Sequence, residues 1–122
     1  MTATKITNTV LKRNEAKAMP TAATVAKTDG ALVTFDKDDQ KILLLLKNAV
    51  SGATHTAVIK AGNGLQGVSD LEVTLDGGAE ACVVVESGRF MDVSGDNKGK
   101  VNIVSKDTTT GTQIEVRAIV LP

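Results

Sequence analysis

The sequence predicts an all-β fold: an antiparallel β-sandwich or barrel-like domain over residues 29–122, preceded by an extended N-terminal arm over residues 1–28. Three observations predict it. Short segments rich in Val, Ile, Leu and Thr recur at close spacing after Asp29-Gly30, glycine-containing turns separate them, and no segment of the body carries a convincing helical period. At 122 residues and 42% hydrophobic content, the chain can bury one core without metals or disulfides.

The arm comes first. Residues 1–28 are rich in Thr, Ala and Lys, with scattered Ile6, Val10, Leu11 and Val25. Residues 10–18 have the length for two helical turns, but Pro20 disfavours helical geometry at Met19 and so short a helix is not stable alone. The expectation is an extended segment, with at most one helical turn or a first short strand, that orders on a partner. Lys5, Lys12, Arg13, Lys17 and Lys27 against Glu15 give it +4, whereas the remainder, with 9 basic and 13 acidic residues, carries −4. A basic arm on an acidic body suits docking on a neighbouring copy; a solvated tail with incidental charge fits as well.

The body reads as a series of strands. Residues 31–35 form the first. Residues 42–46 are a continuous apolar run between Lys41 and Lys47, which predicts a strand in the sheet interior buried on both faces. Residues 56–61 follow the Ser51-Gly52 turn. Leu71–Leu75 alternates, with Leu71, Val73 and Leu75 on one face and Glu72 and Thr74 on the other. Asp76-Gly77-Gly78 turns the chain into residues 81–86, Ser87-Gly88 breaks it, and residues 90–93 read as a short edge piece. The polar stretch 94–99 predicts an exposed hairpin before the strand 101–104, and a further turn spans 107–111. In the last strand, 113–121, Ile114, Val116, Ala118 and Val120 share the core face. Ile119 and Leu121 lie on the opposite face, which needs a cover: the arm, another subunit or a second internal layer.

Candidate chemistry fails at its second requirement. Gly62-Asn63-Gly64-Leu65-Gln66-Gly67 matches G-x-G-x-x-G, but a strand rather than a helix is predicted to follow, so the amide donors for a pyrophosphate are not expected; its glycines are expected to supply positive φ. Gly95 to Gly99-Lys100 misses the phosphate-loop spacing, and Asp36-Lys37-Asp38-Asp39 lacks the Gly and Glu of a calcium loop, leaving a polar turn. His55 is the one histidine and is expected in a loop or at a sheet edge. Cys82 is the one cysteine, which rules out an internal disulfide; within its apolar run it reads as a buried, inert thiol. Two Phe and no Tyr or Trp leave little for stacking on bases or sugars. No catalytic, cofactor-binding or metal-binding residue is therefore expected, and neither nucleic acid nor membrane is an expected partner. With no secretory leader either, a protein made in a reducing compartment is the expectation.

Several segments resemble a family of small structural proteins of tailed bacteriophages, the head-decoration or auxiliary capsid type. They are Asp29-Gly30-Ala31, the stretches 41–48, 56–62, 71–76 and 84–90, and the closing 118–122. The resemblance implies a β-sandwich that clamps neighbouring capsid subunits, with the arm extending over the lattice. It implies the major capsid protein or other virion proteins as partners, a homo-oligomer, and a place on the capsid surface after synthesis in the bacterial cytoplasm. Such proteins have no catalytic residues to carry over. A tail, neck or fibre component and a host-surface or glycan-binding module are the alternatives. The residues expected to touch partners are Ile6, Val10, Leu11, Lys12, Arg13, Val25, Ile119 and Leu121.

Overall fold

The computed structural model describes residues 4–25, 30–36, 38–106 and 114–122; Asp29 of the Asp-Gly turn and the expected turn over 107–111 lie outside them. Strands dominate. In chain order they are β1 (Thr4–Lys5), β2 (Thr9–Val10), β3 (Ala23–Val25), β4 (Ala31–Thr34), β5 (Ile42–Asn48), β6 (His55–Ile59), β7 (Leu71–Leu75), β8 (Glu80–Val83), β9 (Lys100–Ser105) and β10 (Ile114–Val120). A 3₁₀ turn, Asp39–Lys41, precedes β5, and a single helical turn, α1 (Ser87–Phe90), follows β8.

The strands form two mixed sheets. The first has the order β1-β4-β9-β6-β7; the second has the order β2-β10-β5-β8, with β3 also paired to β10. Pairing among the strands of the body is antiparallel, as expected, whereas β1 on β4 and β2 on β10 are parallel. One apolar cluster draws on both sheets: Val33, Ile59 and Ile103 from the first, Ile42, Leu44, Leu46, Ile114 and Val116 from the second. Each such side chain taken out of water is worth about 1.5–3 kcal/mol. Both phenylalanines, Phe35 and Phe90, are buried there.

The N-terminal segment departs most from expectation. It does not stand off the body over its described residues. β1 pairs with β4 in the first sheet, then β2 and β3 pair with opposite ends of β10 in the second. Asn8 adds a hydrogen bond from its Nδ2 to the carbonyl of Thr34 at 2.9 Å. The physical cause is the open edge of β10, whose amides and carbonyls need partners that a β-compatible Thr/Val/Ala segment supplies. No helix forms over 10–18, where an extended segment was expected; β2 ends at Val10 and the chain turns at Arg13-Asn14, with Asn14 at φ 61°.

Two further differences concern the body. Residues 90–93 begin as the last residue of α1, which buries Phe90, and contribute only an isolated bridge from Met91 to Val101. β5 lies between β10 and β8, as an interior strand should, but is buried on one face only. At its end, the wholly buried Asn48 donates from Nδ2 to the carbonyls of Ala53 (2.7 Å), Leu75 (3.0 Å) and Asp76 (3.2 Å). Its Oδ1 accepts from the amide of Val50 at 3.1 Å, so one side chain joins β5, the loop after it and the turn from β7 to β8.

Candidate interaction surface

The second sheet has one face in the core and one outside, and the outer face is unusual in composition. Register fixes its rows, because paired residues share a side of the sheet. Ile119 stands beside Leu43; Arg117 beside Leu45, and Leu45 beside Cys82; Glu115 beside Lys47, and Lys47 beside Glu80. The face therefore grades from charged at one end to apolar at the other. Leu43, Leu45 and Ile119 are each half-buried, and Val84 and Leu121 at the edges are exposed.

The segment between β2 and β3 crosses near this face. Residues 12–19 are all exposed, and one side-chain contact anchors their far end: Arg117 Nε donates to the carbonyl of Pro20 at 3.0 Å. Met19, Leu45, Glu80, Ala81, Cys82 and Arg117 line a shallow, mostly apolar hollow of about 280 Å³ between this segment and the sheet.

The residues expected to meet partners divide into three groups. Lys12 and Arg13 are exposed at the turn, and Val10 and Leu121 are exposed at the strand ends. Ile119 and Leu11 are half-buried at the second sheet, the Leu11 amide donating to the carbonyl of Val120 at 2.8 Å. Ile6 and Val25 make their contacts within the chain: Ile6 packs against the core, and Val25 is wholly buried opposite Ile114.

Cys82 lies on the outer face, contrary to expectation. Its run is an edge strand whose pleat turns Ala81, Val83 and Val85 inward and Cys82 and Val84 outward, so the thiol is exposed. His55 is buried at the start of β6, with no protein partner for Nδ1. Among the described residues no group of three or more His, Cys, Asp or Glu could hold a metal ion, and no helix is long and apolar enough to cross a membrane.

The glycine motif is a compact loop between β6 and β7, and the strand Leu71–Leu75 follows it. Its glycines are not needed for positive φ, which occurs instead at Gly30, Gly52, Gly78, Gly95 and Gly99. Two of them are needed for contact: a Cβ on Gly67 would collide with the carbonyl oxygen of Gly62, and one on Gly62 would collide with that of Met91. The loop is closed by Asp70, which accepts from the Ala61 amide (2.7 Å) and from Lys60 Nζ (3.1 Å). Those bonds, led by the Ala61 amide, hold the Asp70 carboxyl below the usual carboxylate range. In the same way Asp39, from the expected polar turn, accepts from the Ser87 amide at 2.8 Å and is held below its ordinary value; Asp38 caps the 3₁₀ turn through the amide of Gln40.

Among the described residues the most exposed large apolar side chains are in that loop. Leu65 is fully exposed and Val68 is 83% exposed, with Val93 exposed beside Gly64. The match to G-x-G-x-x-G carries no signal of this exposure, which follows from the close approach of Gly62 and Gly67 across the loop. The chain matches no family model, no curated protein and no solved structure.

Proposed function

We propose that this chain is a structural protein of a tailed-bacteriophage particle, a decoration or cementing component that binds the head surface as an oligomer. The resemblance over 29–122 suggests the setting. The observation that supports an assembly role is the outer face of the second sheet, where Leu43, Leu45 and Ile119 stand only half covered. We take the two sheets around one core as a β-sandwich. The described residues 4–25 lace its edges, and their exposed part, residues 12–19, is left for a partner. High copy number on a symmetric shell then lets modest contacts hold, since linked weak sites act together.

Deleting residues 1–28 is a poor test of this reading, because it removes β3 and the buried Val25. Substituting the exposed cations and the outward leucines is a better one. Co-sedimentation with preformed capsids is expected to fall for Lys12→Ser/Arg13→Ser and for Leu43→Ser/Leu45→Ser, with the fold retained. Undiminished binding by both variants would remove the role of this face. Labelled chain at a single vertex, instead of across the shell, would assign it to the tail or neck.

A further inference from the structure

The loop between β6 and β7 carries the chain's one Asn-Gly pair, Asn63-Gly64. Such a pair reacts with itself when its geometry permits. The backbone nitrogen of the glycine attacks the side-chain amide carbon of the asparagine, and the missing Cβ leaves that approach open. Here the attacking group is free, because the Gly64 amide donates to no group among the described residues. Asn63 is also exposed to water.

One clamp opposes the reaction. Asn63 Nδ2 donates to the carbonyl of Ser94 (3.0 Å), and Asn63 Oδ1 accepts from the amide of Val93 (2.8 Å). The stretch that receives these bonds is itself paired. The amide of Asp92 donates to the carbonyl of Lys100 (3.0 Å), and that of Gly99 to the carbonyl of Asp92 (2.7 Å). On the loop side, the Gly67 amide donates to the carbonyl of Gly64 (3.1 Å), and Gly62 and Gly67 touch across the loop. Both ends of the Asn63 carboxamide are therefore held by backbone groups of a paired segment.

We propose that Asn63 is a self-modification site, kept shut by this clamp and released when the loop opens. In the open loop the Gly64 nitrogen gives up its proton and bonds to Asn63 Cγ. Nδ2 leaves with that proton as ammonia, which closes a cyclic imide. Solvent water then opens the imide at either carbonyl. The carboxylate is left on the side chain or, where the chain is rerouted through the side chain, on the backbone. The product lacks Nδ2, so the Ser94 carbonyl loses its donor and faces an oxygen instead. The rerouted product also adds a methylene to a loop in which Gly62 and Gly67 already touch. The loop that presents Leu65 and Val68 thus loses its tie to the segment 92–100, and the loss is one-way. This inference goes beyond the proposed assembly role and does not depend on it.

The test incubates purified full-length chain in mildly alkaline buffer, folded and in concentrated urea, and follows each asparagine by peptide mapping with mass spectrometry. In urea Asn63 is expected to be the first asparagine converted. In the folded chain its conversion is expected to run at least about tenfold more slowly, in proportion to the population of the open loop. Gly64→Ala is expected to suppress conversion in urea and to keep the fold, since the added Cβ would come no closer than 3.5 Å to the Val93 side chain. Two variants loosen the loop without altering the reacting pair. Gly67→Ala collides with the Gly62 carbonyl, and Asp70→Ala removes the acceptor of the Ala61 amide. Each of them that circular dichroism shows to be folded is expected to convert several-fold faster than the folded native chain. No preference for Asn63 in urea, equal rates for the folded and unfolded native chain, or a folded Asp70→Ala chain that converts no faster than the native one would each overturn the proposal.

Discussion

Ile42, Leu44 and Leu46 on one side of β5 and Leu43 and Leu45 on the other are the same kind of side chain, one residue apart. The first three are at most 1% exposed, sealed between the two sheets. The second two are half-buried, with Ile119, Arg117 and Cys82 for neighbours and a segment held near them by one hydrogen bond from Arg117. The inner leucines are explained by folding. The outer ones are explained by folding only in part, and that remainder is why an assembly role is proposed for the outer face.

The sharpest test of the contrast truncates each side in turn. Leu44→Ala is expected to cost about 2–5 kcal/mol of stability, the transfer loss plus a cavity, in denaturant unfolding. Leu45→Ala is expected to cost less than about 1.5 kcal/mol and to act on association instead. Equal losses at the two positions would mean that both faces are core.

Next in size is Asn48, which closes the inner face at the end of β5. Asn48→Ala leaves the carbonyls of Ala53, Leu75 and Asp76 short of a donor, and about 2–3 kcal/mol is expected in the same assay. A loss below about 0.5 kcal/mol would show that the strand ends do not depend on it.

The smallest expected effect comes from acid. Asp39 and Asp70 are both held below their ordinary values by amide hydrogen bonds. A depressed folded-state value means that their stabilisation is present above about pH 4, the unfolded range, and is lost as pH falls through the folded value. Thermal midpoints measured from pH 7 to pH 2 are expected to fall less steeply for Asp39→Asn/Asp70→Asn than for the native chain. Identical profiles would show that neither carboxylate braces the α1 turn or the Leu65 loop.

Sequence alone reached the strand-rich body because alternation is a strong signal. Leu71–Leu75 is β7 residue for residue, and the run after Lys41 is an interior strand. It missed the phase of continuous apolar runs. In Ala81-Cys82-Val83-Val84-Val85 every residue is compatible with either face, so only tertiary pairing turns Cys82 outward. The pairing of β1, β2 and β3 was equally hidden, since strands of two or three residues carry no period and owe their place to the open edges of β4 and β10. At the candidate surface, the apolar end at Ile119 and Leu121 was legible from alternation. The Leu65 projection was not, because its shape depends on Gly62 and Gly67 touching across the loop.

Met19 offers the most direct probe of whether another subunit covers the outer face of the second sheet. It lines the hollow, is 69% exposed, and carries a readily oxidised thioether; half-buried Met91, beside Gly62, serves as the internal reference. In hydroxyl-radical footprinting, oxidation of Met19 is expected to drop several-fold between dilute and assembled chain, while Met91 changes little. A Met19 that stays fully reactive in the assembly would contradict the assignment.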